Sequence, residues 1–523
     1  MSTLRCSPDR DCFNSLGIPV DNLTLNSAVE RIVAMARADD GRARLVSTLN
    51  VDFLVNALGT VFSRPRHPEL LQVLRSSDLV TADGFPIVWL SRLLGRPLPE
   101  RVCGSDLLPA LAQRAARDGL SLYLFGGGEG AAAAAAAALQ ARYPGLRIAG
   151  TAAPPVHTAG AGLARSAGDD RATLAQIHAA GADILLVGLG NPKQELWFNR
   201  NRRALRTPVA IGVGGSFDFV TGRVRRAPPA WQRRNLEWLW RLAQDPARLW
   251  QRYSKGLFKF AALAAPVLAA RAMELLRAPP GGHRPPRPGA WQRLWSSRET
   301  SIAIRRLPPR PDAAYLRALN RELAAPAPGS DLRILDFSAV QRIAIAAQPE
   351  LFSLAALLQR HPRQLQLLGM SAGLRRQLRS ARLLDLLQGG RGRAIDALAG
   401  DLGSSGQFGC RSYSLRGRAL VMLSGRVDRE ALAALGFVEC LQSALRDRRA
   451  VIDLRNVTLL ESSGIAELLP LLAMRRDGCA LVAFSGADYA ARQMLRMAGV
   501  GAGTRCIDDQ ELLTLISEAD SHA

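Results

Sequence analysis

Four short stretches of this chain carry residue types that could do chemistry. Thr48-Leu49-Asn50 follows an apolar run, and Asp83 lies in VTADGFPIVWL ahead of another. LYLFGGGEG opens the alanine run Ala131–Ala138, and LVGLGNPKQE spans Leu186–Glu195. A carboxylate between a strand and a helix either caps the helix or serves as a general base reaching into a cleft, and Asp83 is open to both readings. Glycines between strand and helix let backbone N–H groups approach a phosphate, helped by the positive end of the helix dipole. Gly126 and Gly127 fit that role, but the stretch lacks the Lys-Ser/Thr of a P-loop and the GxGxxG spacing, so a plain tight turn remains the other reading. Gln194 and Glu195 read either as polar groups for a donor or as the exposed first turn of a helix. The alanine run reads as a close-packed helix.

The elements that must position these residues follow from an alternating pattern. Leu45–Thr48, Leu120–Phe125, Ile184–Val187 and Pro208–Val213 read as strands, separated by longer Ala/Leu-rich helical segments, which predicts an α/β domain with a parallel sheet. The candidate residues then fall just beyond the carboxyl ends of strands, where open α/β sheets bind ligands.

At 523 residues the chain is long enough for three or four domains. With 48% hydrophobic and 22% charged residues it can bury large cores, which excludes collagen-like, low-complexity and disulfide-scaffold classes. Seven scattered cysteines without a CxxC pair argue against a disulfide framework or a zinc site and for a reducing compartment. The first residues, MSTLRCSPDRDCFNSLG, lack the apolar core of a secretory signal. The apolar stretch Phe260 to Ala270 is 11 residues long and interrupted by Pro266, against about 20 for a membrane span, so it is not expected to cross a bilayer.

The net charge of +23 points to a polyanion: nucleic acid, nucleotide phosphates or an anionic membrane. Between Lys193 and Phe260 stand 15 Lys/Arg against four acids, nearly half of that charge, and Trp231, Trp238, Trp240 and Trp250 are interleaved with them. The mixture suits an interfacial helix with tryptophans at headgroup depth and arginines toward phosphate, or else a solvated basic helix resting its tryptophans on the core. No nucleic-acid-binding signature accompanies it, and no nucleic-acid partner is expected.

APPGGHRPPRPGA (278–290) is a linker by composition, and a Gly/Ser-rich break from Gly400 to Gly409 splits the rest. The two parts read as copies: ILDFSAVQRIAIAA (Ile334–Ala347) lies over VIDLRNVTLLESSG (Val451–Gly464), with Asp336 over Asp453 and a shift of 117.

GIPVDNLT, the Thr48-Leu49-Asn50 turn, ADGFPIVWL, ERVCGSDLLP, LVGLGNPKQE, GVGGSFDFVTGRVRRAP and LEWLWRLAQDPARLWQRY, in that order, resemble the WecG/TagA/CpsF glycosyltransferases over residues 15 to 260. The resemblance implies an inverting, metal-independent transfer of a sugar (N-acetylmannosamine, its uronic acid or a glucose type) from a UDP-sugar to a polyprenyl-diphosphate-linked saccharide in bacterial surface or exopolysaccharide assembly. No cofactor is implied beyond the UDP-sugar donor. It implies Asp83 as general base, with Thr48, Asn50, Arg101, Asp106 and Gln194 lining the site. It also implies a C-terminal appendage seated on the cytoplasmic face of the membrane that contributes Arg241, Arg248 and Arg252. Guanidinium groups can stabilise the charge on a departing diphosphate.

The second tail copy, with VIDLRNVTLL before Glu461-Ser462-Ser463-Gly464-Ile465, resembles STAS domains of the anti-sigma-factor-antagonist type. That resemblance places a phosphoacceptor at Ser463, with Glu461 where the family carries Asp, and an ordinary Ser N-cap is the other reading. A protein partner or kinase at this copy is implied. In the first copy Ala344, Ile345, Ala346 and Ala347 take those places, leaving no hydroxyl.

The expected organisation is a Rossmann-like glycosyltransferase core (1–230), a basic, Trp-rich helical appendage (231–277), a linker (278–299), a degenerate STAS-like domain (300–390), a second linker (391–410) and a STAS-like domain (411–517). The expected location is cytoplasmic, peripheral on the inner face of the membrane. A catalytically silent scaffold acting through its tail is the alternative, distinguished by UDP-sugar turnover.

Overall fold

The computed structural model describes residues 10–59, 65–276 (except 225, 229, 232–236 and 245), 291–296, 301–325, 332–361, 365–388 (except 369), 409–415 and 418–507 (except 435–436, 446–448, 477–478, 481, 488 and 501–504). The chain begins with a hairpin, β1 (Cys12–Ser15) and β2 (Ile18–Asp21), and helix α1 (Leu25–Ala36). There follow β3 (Arg44–Leu49), α2 (Val51–Ala57), α3 (Pro68–Ser76), β4 (Leu79–Ala82), α4 (Phe85–Leu93) and α5 (Gly104–Asp118). Next come β5 (Ser121–Gly126), α6 (Ala131–Arg142), β6 (Arg147–Ala152), α7 (Ser166–Ala180), β7 (Ile184–Gly188), α8 (Lys193–Asn201), β8 (Val209–Gly212) and α9 (Ser216–Val220). Helices α10 (Glu237–Gln244) and α11 (Pro246–Leu276) complete this part.

Strands β3 to β8 form one six-stranded sheet in the order β4-β3-β8-β7-β5-β6, every pairing parallel. Strand alternation explains why the sheet sits between two cores. Val46, Leu122, Leu124, Leu186 and Ile211 face the cluster that includes Ile32 of α1, Leu107 of α5 and Ala135 of α6. Leu45, Tyr123, Phe125, Leu185 and Ala210 face the cluster with Ile177 of α7 and Trp197 and Phe198 of α8. The alanine run is a helix, as its composition predicts, and Ala132, Ala135 and Ala136 let α6 approach the sheet closely.

A third cluster joins Ile18, Leu54, Leu70 and Leu90 to Phe260, Leu263, Ala264 and Val267 of α11. This packing corrects the expectation that Pro266 interrupts the apolar stretch: α11 runs 31 residues with Pro266 inside it. A proline inside a helix costs about 3 kcal/mol, while each buried aliphatic or aromatic side chain contributes about 1.5–3 kcal/mol, so burial on both sides of Pro266 wins. The apolar stretch is also longer than the 11 residues from Phe260 to Ala270. Tyr253–Leu276 is long and apolar enough for a bilayer by length and composition, and 28% of its apolar window is buried inside the protein.

The tail forms two sheets of like design. In the first, Leu365–Leu368, Leu332–Asp336, Ser301–Arg306 and Gln292–Ser296 lie side by side, with only the last pairing antiparallel. In the second, Gly409–Leu415, Arg418–Val427, Arg449–Leu460, Val482–Ser485 and Arg505–Ile507 follow one another, again with one antiparallel outer hairpin. Asp336 pairs with Leu368, and Asp453 pairs with Ser485. Strand Gln292–Ser296 falls inside the stretch read as linker, so the first tail sheet starts before residue 300; its antiparallel pairing with Ser301–Arg306 draws it in.

Both tail modules reach one helix of the transferase part. Arg75 on α3 donates to Asp385 (2.6 Å) and to the Arg382 carbonyl (2.8 Å) in the first module. Glu69, on the same helix and fully buried, accepts from the backbone N–H (3.0 Å) and hydroxyl (3.1 Å) of Ser462 in the second.

Candidate active site at the strand ends

Strands β3 and β4 are neighbours in the sheet and end side by side. Asp83 follows β4, and its backbone N–H donates to the Leu49 carbonyl at 2.7 Å, which pins the turn after β4 against the turn after β3. Asn50 stands within van der Waals reach of Gly84: a Cβ built on the glycine would lie 3.8 Å from the Asn50 Cβ. The N-cap of α4 is Gly84 with no side-chain cap bond, so Asp83 is not the helix cap that one reading allowed. Asp83 is half-buried, and its charge acts on Arg101 and Cys103.

Asn50 is the cap of its own helix. Its side-chain oxygen accepts from the N–H groups of Asp52 (3.0 Å) and Phe53 (3.4 Å) at the start of α2. Thr48 is buried, and its hydroxyl donates to the Gly212 carbonyl at 2.8 Å, tying β3 to the end of β8. The sequence reading missed these local duties because a Thr or Asn past a strand looks the same whether it faces a cleft or a backbone.

Arg101 leads into α5 and donates to Glu237 (2.9 Å) and to Asp106 (3.5 Å). Arg226 contacts the same two carboxylates, Asp106 at 2.6 Å and Glu237 at 3.5 Å. Glu237, only 3% exposed, opens α10, so this four-membered cluster latches the Trp-rich appendage beside Asp83. Burial resists the charge on Arg101, but the carboxylates of Glu237 and Asp83 outweigh it and push its pKa up. Asp106 is held below the usual carboxylate range: burial opposes, but bonds from Cys103 and Arg226 prevail. The Cys103 thiol donates to Asp106 at 2.8 Å and burial pushes it up to about 12, so it stays protonated and is no nucleophile at neutral pH. Ring stacking of Phe85, two residues past Asp83, on Trp238 of α10 (5.9 Å) adds a second tie. Glu237 was legible in principle as one of only four acids in a strongly basic region.

The glycine turn after β5 is built as a turn. Gly126 has φ +94°, and a Cβ there would lie 2.7 Å from Leu189, so only glycine fits. The Gly127 N–H donates to the Gly188 carbonyl at 3.0 Å. Gly130 occupies the N-cap of α6 without a side-chain cap.

Gln194 and Glu195 are buried, 2% and 0% exposed, which overturns the reading of an exposed first turn. Gln194 donates to Glu195 (2.7 Å) and accepts from the Gly214 N–H (3.2 Å), bracing the turn after β8; Gly212 is glycine because Gln194 occupies the space of a Cβ. Glu195 also accepts from Asn191 (3.0 Å), which in turn accepts from Asn56 on α2 (2.8 Å). Burial pushes Glu195 up to about 7. These residues brace the strand ends from behind.

Arg241, Arg248 and Arg252 fall in α10 and α11, and their side chains lie outside the described residues. Ser463 is 1% exposed in the helix Ser462–Leu472, where its oxygen accepts from the Arg429 N–H at 3.4 Å, so it is not open to solvent in this docked form. Among the described residues, no three His, Cys, Asp or Glu side chains come together as a metal site.

Comparison with known proteins agrees with this geometry. Residues 13–273 match the sequence profile of the glycosyl transferase WecG/TagA/CpsF family. An N-acetylglucosaminyldiphosphoundecaprenol N-acetyl-beta-D-mannosaminyltransferase of Bacillus spizizenii is 33% identical over 201 residues, covering 38% of this chain and 74% of the relative. A protein of the same description from Bacillus subtilis is 30% identical over 236 residues, covering 45% of this chain and 84% of the relative. A six-stranded parallel sheet with its polar turns gathered at one end, and relatives matched over most of their length, lead to one conclusion: this chain belongs to the WecG/TagA/CpsF family of glycosyl transferases.

Proposed function

We propose that this protein is an inverting glycosyltransferase that moves a hexose (N-acetylmannosamine, its uronic acid or a glucose type) from a UDP-sugar to a polyprenyl-diphosphate-linked saccharide in bacterial surface-polysaccharide assembly. The observation that carries the reading is the convergence of Asp83, Asn50 and Arg101 at adjoining strand ends beneath the Glu237 latch. The relatives' names, which describe transfer to a diphosphoundecaprenol-linked sugar, support the acceptor class.

In the proposed reaction the Asp83 carboxylate takes the proton of the acceptor hydroxyl. The resulting oxygen attacks the anomeric carbon from the face opposite the diphosphate, and UDP departs with the bonding electrons. Arg101 lies beside Asp83, where its fixed positive charge favours the ionised base. Gly126 and Gly127 offer a side-chain-free approach for the donor. Thr48, Asn50, Asp106 and Gln194 shape the site, mainly by fixing strand ends, helix starts and Arg226.

The proposal places the appendage on the inner face of the cytoplasmic membrane. Trp250 and Phe258 on α11 are 63% and 77% exposed, Leu93 and Trp89 on α4 are exposed as well, and Lys255 and Lys259 stand among them. Arg241, Arg248 and Arg252 of this appendage are proposed, on the family resemblance, as the residues that serve lipid phosphate or the donor diphosphate. The tail modules are proposed to be STAS-like units that regulate the transferase or recruit a partner.

The test is UDP release by the full chain with a panel of UDP-sugars and a polyprenyl-diphosphate-GlcNAc acceptor in detergent, for wild type and Asp83→Asn. Acceptor-dependent release lost on substitution is the expected outcome. Release that persists unchanged in the variant removes Asp83 from the mechanism.

A further inference from the structure

Among the described residues, the second tail module meets the transferase part at two well-buried places, besides the exposed Arg203–Glu430 pair. One is the Glu69–Ser462 contact, and the other is the segment before α7, where the Gly160 N–H donates to the Met497 carbonyl (3.2 Å) and Leu163 enters the tail's own core. Between these ties the surfaces do not close. A cavity of about 750 Å³ remains, walled by α7 and α8 on one side and by residues 426–430 and the start of the helix Ser462–Leu472 on the other.

Its lining is cationic. Seven arginines and His178 face four acids, and burial and Arg206 push the His178 pKa down, so the positive side chains outnumber the negative ones along the wall. Some of this charge is committed: Arg200 pairs with Asp170 at 2.5 Å, Arg202 with Asp78 at 2.6 Å, and Arg426 with Glu461 and with Asp428 at 3.3 Å. The Arg203–Glu430 pair across the seam has side chains 52% and 46% exposed, and so exposed an ion pair contributes little, so a bound anion can replace it. Arg429 gives its Nε to Glu467 (2.9 Å), while its Nη2 is buried with no hydrogen-bond partner among the described residues. Arg42 and Arg171 complete the wall, and Ser463 contributes a hydroxyl.

We infer that this cavity binds a small, multiply charged phosphate compound that bridges the transferase part and the second tail module. The volume falls within the range of small-ligand sites. No Phe, Tyr or Trp lines it among the described residues, and the guanidinium forks that dominate the wall suit phosphate oxygens. The site is separate from Asp83 and Arg101, neither of which lines it, and it stands whether or not the sugar chemistry proposed above is right. Because its two walls belong to different modules, the ligand would tighten their docking, and Ser463 would be least accessible when the site is filled.

The experiment is hydrogen exchange on the full chain titrated with inorganic tripolyphosphate, with sodium sulfate at matched ionic strength as control. Slowed exchange is expected in Ser166–Ala180 and residues 426–430. The tripolyphosphate affinity should fall about tenfold in Arg171→Gln, an exposed site that will not disturb folding, and likewise in Arg203→Gln. Protection confined to the turns at 83–84 and 126–130 would assign the anion to the transferase site and overturn the inference. So would equal protection by sulfate, no protection at all, or unchanged affinity in both variants.

Discussion

Two corners of this molecule share one plan, a strand that ends in an acid before a helix, and they have opposite surroundings. After β4, Asp83 is half-buried beside Arg101, with a glycine at the helix start and the Trp-rich appendage latched alongside. After the strand Arg449–Leu460, Glu461 is fully buried, paired with Arg426 and pressed under the transferase part by the Glu69–Ser462 contact. Burial raises the pKa of both Glu461 and Glu69, so the tail corner resists ionisation. The difference teaches that the motif sets only the direction of the carboxylate; what covers it decides whether it can meet a substrate.

The sharpest way to break the comparison is to neutralise the acid of the first corner. Asp83→Asn should lower turnover by about 10³-fold, within the usual span for loss of a general base, with the melting midpoint unchanged. UDP release and thermal denaturation measured on the same sample check it.

Glu195→Gln tests bracing from behind rather than chemistry. Because burial raises the Glu195 pKa from 4.5 to about 7, its protonated form stabilises the native state fully below pH 4.5, and that contribution is lost as pH rises to about 7. The Gln variant should lose this slope and gain up to about 3 kcal/mol relative to wild type above pH 7, read from urea denaturation at several pH values.

Glu69→Ala should free the second tail module. It removes the acceptor of two Ser462 donors and weakens docking by about 1–3 kcal/mol, seen as faster amide exchange in Ser462–Leu472 with turnover unchanged. Unchanged exchange there would mean that the seam is held elsewhere. Smallest of all, Asn50→Ala removes a helix cap and should cost about 1 kcal/mol of stability, measured by denaturant unfolding.

The sequence carried the parallel sheet because its strands are buried on both faces and read as unbroken apolar runs between glycine turns. It also carried the position of Asp83, since a parallel strand must deliver the residue after it to the same edge as its neighbours. It left Gln194 and Glu195 between groups for a donor and an exposed first turn, because polar residues in a first helical turn look exposed until the turn after β8 is folded over them. It also misjudged Pro266, whose local cost was visible while the packing that offsets it was not.

By itself, then, the sequence determined the α/β order, the strand-end location of the polar turns, the basic aromatic appendage and the family motifs, all properties of local pattern and spacing. The tertiary structure alone decided that Glu237 ties the appendage to Arg101, that Thr48 turns its hydroxyl to Gly212, and that α3 is gripped by both tail modules through Glu69 and Arg75. Those contacts join residues from 136 to 393 positions apart. No periodicity records such pairs: each forms only when packing removes both groups from water and leaves each the other's partner.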